Sequence, residues 1–506
     1  MGVARVLSVA LVGVRGHVVE VEADLAQGLP GLVITGLPDT ALGEARDRLR
    51  AAVGNSRLSW PSRRITIGLS PAWLPKSGSG FDLAMAAAVL CADGAVPVDL
   101  LAGTVVLGEL ALDGRVRPVR GVLPAVLAAS RAGISRAVVP AANVREAELV
   151  PETVVVGVAS LTAFAGYLRG EEPGIGADSR AAEDPVPAPP DLADVLGQDD
   201  GRRAVEVAAA GGHHLAFAGP PGSGKTMLAE RLPGLLPPLS RDAALEVTAV
   251  HSVAGILPTG SPLVSRPPYQ APHHTASVAA LVGGGSGVAR PGAISLAHRG
   301  VLFLDEAPEF ATGVLDALRQ PLERGEVVLA RSGGVVSYPA RIQLVLAANP
   351  CPCSSSTGGA ECTCTPSVRR RYLARLSGPL LDRVDLQVTL LPVGLPALLD
   401  CGADVETTAT VANRVRRAHA AAASRWAPHG WISNAEVPGQ ALRTTYRLPR
   451  SVRAPLDREV DKRTISARGY DRILRVAWTL ADLAGRATPA GSDVSDAVAL
   501  RLGSAA

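Results

Sequence analysis

The eight residues Gly219-Pro220-Pro221-Gly222-Ser223-Gly224-Lys225-Thr226 fit the phosphate-binding loop pattern. Glycines let backbone N–H groups turn inward around phosphate oxygens, Lys225 supplies a compensating charge, and the Thr226 hydroxyl can hold Mg²⁺. Apolar Leu215 to Ala218 precede the loop as a strand, and Met227 to Leu232 follow as a helix whose N-terminus favours an anion. The chain has three lysines, Lys76, Lys225 and Lys462, and one stands at the required position. A chance glycine-rich turn would not place it there.

Two further strand ends could supply the rest of a nucleotide-hydrolysing site. Val301 to Leu304 read as a buried strand that ends in Asp305 and Glu306. A carboxylate there can coordinate Mg²⁺ beside the loop, and the next can polarise an attacking water. Gln343 to Ala348 read as another strand, ending at Asn349, whose amide could orient that water. Alone, Asn349 before Pro350 would be an ordinary turn residue. Cys351, Cys353, Cys362 and Cys364 form a separate cluster, four thiols within fourteen residues. Four sulfurs so close suit tetrahedral Zn²⁺, although each pair is separated by one residue rather than two to four. Reduced structural cysteines and a redox disulfide are the alternatives.

The elements that must position these groups are read from composition and periodicity. A chain of 506 residues with 47% hydrophobic and 19% charged residues is globular and long enough for about three domains. Residues 171–190 hold the clearest linker, closing in Pro185-Val186-Pro187-Ala188-Pro189-Pro190. Before it, short β-branched runs at 18–21, 32–35, 64–69, 104–107, 137–139 and 154–158 alternate with Ala/Leu-rich helical stretches at 40–53, 81–91 and 121–132. Val6 to Val14, continuing through Arg15, Glu20, Glu22 and Asp24, reads as a first strand rather than a secretion signal. After the linker, strands and helices alternate to about residue 392, and a mostly helical part follows with a break near Gly430 to Asn434. The expected organisation is multidomain α/β: 1–170, the linker 171–190, a P-loop core over 191–400, and a helical domain over 401–506.

No apolar run is long enough to span a membrane, and the cysteine distribution is not a disulfide framework, so a reducing cytoplasm is expected. Arginine dominates the basic residues, and net charge is only +3. Residues 367–475 nevertheless hold 19 Lys/Arg against 10 Asp/Glu, including Arg369-Arg370-Arg371. An anionic partner is allowed and not required.

Several segments together resemble the AAA+ ATPases of the magnesium-chelatase-like group, within it the ComM (YifB) type. They include Gly197-Gln198, Ala208 to His213, Pro272-His273-His274-Thr275, Pro291 to His298, Ala317 to Glu323 and Asn349 to Cys353. Ala307 and Ser354 are small departures. The resemblance implies ATP and Mg²⁺ as cofactors, Arg383 as an arginine finger toward a neighbouring subunit, and Arg468 as a second sensor, with Arg475 as its fallback. It also implies a homo-oligomeric ring, most often a hexamer, and insertions near 248–290 and at the hairpin Glu326 to Tyr338 that point into its pore. For the ComM type, the activity is branch migration on single-stranded or branched DNA during recombination or transformation. The motor subunit of a magnesium chelatase is the alternative.

Gly108 to Gly121 and Pro75-Lys76-Ser77-Gly78 resemble the proteolytic domain of Lon, implying a Lon-like α+β fold for residues 1–170. Lon-type hydrolysis needs a serine activated by a lysine. Gly80 and Leu123 stand at those positions, so a protease would have to be rebuilt from Ser79 and Lys76.

Overall fold

Alternating apolar residues bury one side of an antiparallel hairpin, β1 (Gly2–Val12) and β2 (Arg15–Ala26), in which Val6 lies opposite Val21. The single first strand expected through Arg15 is therefore two: the chain reverses at Gly13, whose φ of 66° suits glycine. The computed structural model describes residues 2–36, 44–76, 78–176, 189–258, 262–285, 289–331, 334–353, 362, 364–394 and 405–503. Most of the proline-rich stretch 171–190, and Cys401, lie outside them.

The hairpin is the middle of a seven-stranded mixed sheet. It continues through β3 (Gly31–Thr35), β4 (Arg64–Ser70), β5 (Thr104–Val106), β6 (Arg136–Pro140) and β7 (Val154–Val158), in the order β3-β4-β2-β1-β5-β6-β7. Helix α1 (Asp82–Ala92) is apolar on every side and buried from Leu83 to Leu90 against one face of the sheet. The expected helix at 40–53 is seen as Ala45–Asn55 on the same face. Helix α2 (Val122–Arg131) covers the other face.

The second sheet is parallel throughout. Helix α3 (Asp199–Gly211) leads into β8 (Leu215–Ala218), the loop, and α4 (Lys225–Leu235). Helix α5 (Arg241–Ala254) precedes a short strand β9 (Tyr269–Gln270) and then β10 (Val301–Leu304). A hairpin of β11 (Glu326–Arg331) and β12 (Gly334–Pro339) appears at the expected place, Leu329 opposite Val336. Its turn and the side chain of Arg331 lie outside the described residues. Strands β13 (Gln343–Ala348) and β14 (Leu386–Thr389) complete the order β9-β10-β13-β8-β14. The two sheets meet where Leu245 and Ala249 of α5 join the core of α2. There the buried Glu146 carboxylate accepts the Leu123 N–H at 2.8 Å, Asn143 Nδ2 at 3.1 Å and the Ser252 hydroxyl.

The C-terminal part consists of α6 (Thr408–Trp426), α7 (Arg450–Asp461), α8 (Ala467–Leu483) and α9 (Gly491–Leu502), with short turns and a five-residue helix, Gly439–Arg443, between α6 and α7. It shares one continuous core with a face of the second sheet, so Trp426, Val415 and Ile473 pack in the same cluster as Leu215, Phe217 and Val301. A buried charge fastens the two. Asp385, just before β14, accepts from Arg472 of α8 at 2.5 Å and from the His214 N–H at 3.0 Å. Burial alone would push this carboxyl up, but Arg472 and His213 outweigh it and hold it well below the usual carboxylate range.

Removing one partner of such a pair leaves an uncompensated buried charge. Arg472→Met is expected to cost about 3–5 kcal/mol, read as a lower urea midpoint by tryptophan fluorescence. A shift no larger than that of exposed Arg450→Met would show that the pair carries no weight.

Candidate functional site

Parallel register decides which loops meet. Ala218 of β8 pairs with Ala348 of β13, and Leu346 of β13 with Leu304 of β10. Residues 219–226, Asp305 and Asn349 consequently leave the sheet at one edge, the C-terminal edge where open α/β sheets bind ligands.

The loop Gly219-Pro220-Pro221-Gly222-Ser223-Gly224 uses left-handed backbone at Gly222 (φ 77°) and Gly224 (φ 84°). The Lys225 ammonium is buried and donates to the carbonyls of Gly219 at 2.7 Å and Pro220 at 2.8 Å and to Asn349 Oδ1 at 3.1 Å. Burial pulls its pKa down, while Asp305 and Glu306 pull it up. The Thr226 hydroxyl donates to Asp305 Oδ2 at 2.9 Å, so the two residues expected to share Mg²⁺ are in contact. Asp305 Oδ1 accepts the Glu306 N–H at 2.9 Å.

Glu306 is a non-glycine residue at φ 49° and ψ 43°. That left-handed conformation costs on the order of 1–3 kcal/mol and persists where surroundings enforce it, often at functional sites. Its Oε2 lies 3.2 Å from His274 Nδ1. Gln198 donates to the carbonyls of Ser223 at 3.0 Å and Leu391 at 2.7 Å, bracing the loop from behind. His274 and Gln198 belong to segments that the sequence singles out, but nothing in their spacing reveals these contacts.

Two expected arginines are not brought to this cluster. Arg383 follows the short helix Gly378–Leu381, pairs with Glu323 and donates to the Pro379 carbonyl at 2.5 Å. Arg468 is exposed in the first turn of α8, and among the described residues its side chain makes no hydrogen bond or ion pair. The fallback Arg475 donates to the Val437 carbonyl at 2.8 Å and feels Asp385. Asp385 stands at the N-terminal edge of the sheet, opposite the loop.

The four cysteines do come together. The Sγ atoms of Cys351, Cys353, Cys362 and Cys364 all lie within 4.8 Å of one another. A tetrahedron of Zn–S bonds of about 2.3 Å has sulfurs roughly 3.8 Å apart, so the donor set fits that ion. In the N-terminal domain, Ser79 donates to Glu109, whereas the buried Lys76 ammonium donates to the carbonyls of Pro71 and, at 3.0 Å, Leu69. The structure does not pair Ser79 with Lys76 as a nucleophile and its base.

These contacts separate the expected effects of three substitutions. Lys225→Ala should weaken nucleotide binding. Glu306→Gln should keep binding and lose about 10²–10⁴-fold in turnover, and His274→Ala should keep binding with a smaller loss. ATP titration and steady-state hydrolysis read both quantities, and equal loss of binding in all three would contradict the assignment.

Comparison with known proteins covers nearly the whole chain. Residues 191–395 match the family "Magnesium chelatase, subunit ChlI", residues 21–143 match "Subunit ChlI of Mg-chelatase", and residues 405–501 match "Magnesium chelatase, subunit ChlI C-terminal". An uncharacterized protein of Mycobacterium tuberculosis is 56% identical over 501 residues, 99% of each chain. The Lon protease of Salinispora arenicola is 32% identical over 160 residues, 30% of this chain and 20% of that protein. Competence protein ComM of Haemophilus influenzae is 41% identical over 491 residues, 96% of this chain and 94% of that protein. With its nucleotide-loop geometry and this end-to-end likeness, the chain belongs to the magnesium-chelatase-like proteins of the ComM type.

Proposed function

We propose that this chain hydrolyses ATP with Mg²⁺ and works as a ring-shaped motor on single-stranded or branched DNA, driving branch migration in recombination or transformation. The observation that carries the ATPase reading is the meeting of Lys225 with Asn349 and of Thr226 with Asp305 beside Glu306. In this reading Asp305 and Thr226 hold the metal, Glu306 activates water, and Asn349 orients it. Arg383, whose contacts lie away from its own loop, serves the neighbouring subunit's ATP, and Arg468 acts as the second sensor, contacting the γ-phosphate from the helical domain. The likeness to a competence protein and the exposed Arg370 and Arg371 on the helix Pro366–Leu373 support DNA as the polymer. Among the described residues no helix is long and apolar enough to cross a membrane, and the proposed location is the cytoplasm. The N-terminal domain, Lon-like by its partial identity to a Lon protease, acts as a collar rather than a peptidase. The matched chelatase descriptions favour one other reading, the motor of a metal-insertion complex.

ATP turnover measured with and without single-stranded or four-way-junction DNA tests the choice. Stimulation, with the junction resolved only when ATP can be hydrolysed, is expected. Turnover indifferent to DNA, with no DNA binding at low salt, would put the chelatase-like reading first. In the same assay, mixing Arg383→Ala with Lys225→Ala protein should restore part of the activity. One variant keeps its loop and the other its finger, so verified mixed rings without recovery would remove Arg383 from that role.

The cysteine cluster is assigned a structural Zn²⁺. About one zinc per chain is expected by elemental analysis of protein purified without chelator. A well-folded preparation without metal would reject the assignment.

A further inference from the structure

Between the two sheets lies a cleft of about 830 Å³. The N-terminal domain supplies Arg15, at the start of β2, and Arg131, at the end of α2. The ATPase domain supplies Arg324 and Arg341, which flank the base of the β11–β12 hairpin. All four side chains are exposed, and among the described residues none makes an ion pair. Several other arginines are committed to carboxylates: Arg48 to Asp82, Arg231 to Asp194, Arg414 to Glu206 and Glu406, and Arg425 to Asp482.

The acids of the cleft do not cancel this charge. Glu246 is engaged by His298 at 3.2 Å and Arg299 at 3.1 Å, and Glu326 accepts the Ser337 hydroxyl at 2.7 Å. Asp242, in the first turn of α5, and Glu326, which keeps its charge, remain as two carboxylates against four guanidinium groups. Four guanidinium groups spread over two walls are more than one phosphate can contact at once, whereas a polymer of phosphates meets them one after another. A space of this size holds a ligand of small-molecule scale, a few nucleotides, and is too small for a duplex.

We infer that this interdomain cleft is a track for the phosphate backbone of single-stranded DNA, an inference that rests on the DNA-motor reading above. Its floor is continuous with the catalytic strand. Arg299, at φ 59°, donates its N–H to the Arg341 carbonyl at 2.6 Å and is followed by Gly300 and β10, whose far end carries Asp305 and Glu306. A strand held in the cleft thus lies at one end of β10 and the hydrolytic carboxylates at the other. The contacts are to phosphate, so the track should bind with little sequence preference.

The test uses the full chain and a fluorescent oligothymidylate, with anisotropy followed across salt concentrations. Arg15→Gln/Arg131→Gln should weaken binding at every salt concentration and make the log–log slope shallower by about 1.4, or about 0.7 for each lost phosphate contact. Arg324→Gln/Arg341→Gln, on the opposite wall, should do the same. Arg63→Gln/Arg64→Gln removes equal charge at the other end of β2, where Ala26 pairs with Arg64, and should bind as the parent does. If the parent binds and the cleft variants keep its affinity and slope, the track is wrong and the DNA reading stands. Equal weakening in all three double variants would also overturn the track, since general charge would explain it. A parent that does not bind would remove both readings.

Discussion

Everything at the nucleotide site depends on one register. Ala218 beside Ala348 and Leu346 beside Leu304 place three strand ends level, and from that level edge Lys225, Asn349, Asp305 and Glu306 reach one another. A slip of one residue would turn each strand's side chains to the opposite face. It is resisted by burial on both faces: Leu215, Phe217 and Val345 lie in one core, Leu302, Leu304 and Leu344 in another. A parallel sheet needs both faces covered. The helical C-terminal part is therefore a wall of the ATPase core rather than a loosely attached lid.

The opposite edge of the same sheet shows how that wall is fixed. Asp385 draws Arg472, His213 and the His214 backbone into a buried cluster, and His213 reaches Thr479 of α8 at 2.7 Å. Desolvation of these groups would be expensive if they were unpaired, so the cluster specifies a single docking of α8. Arg383 is two residues before Asp385 and inherits this anchoring. If Arg383 serves a neighbouring subunit as proposed, a fixed base helps it, because a cation held in place loses less freedom on contact.

The N-terminal domain is joined to the motor through α5, not through the proline-rich connection alone. Leu245 and Ala249 enter the α2 core, and Ser252 completes the hydrogen bonding of Glu146. Beside this apolar joint the surfaces diverge into the arginine-lined cleft. Pairing Lys76 with carbonyls and Ser79 with Glu109 gives these groups structural partners, in keeping with a domain used for its surface.

Local pattern was enough to identify most of this molecule. The loop 219–226, the strand ending in Asp305 and Glu306, the hairpin at 326–339 and the cysteine quartet are short-range signals, in which spacing along the chain is itself the chemistry. The alternation of β2 and the apolar run of α1 were equally legible, because burial repeats with the period of the element. What the sequence could not show was long-range pairing. The reversal at Gly13 was hidden because the apolar run of β1 carries on to Val14 without a polar turn, although the buried positions shift from Ala4, Val6 and Ala10 in β1 to Val19, Val21 and Ala23 in β2. His274 meets Glu306 across 32 residues and Arg472 meets Asp385 across 87, contacts that no local period encodes. Only the folded sheet set Arg475 at the edge away from the loop, brought four sulfurs together and lined one cleft with arginines from two domains. Those arrangements follow from how the layers close over both faces of the sheets, and that closure is decided by packing in three dimensions.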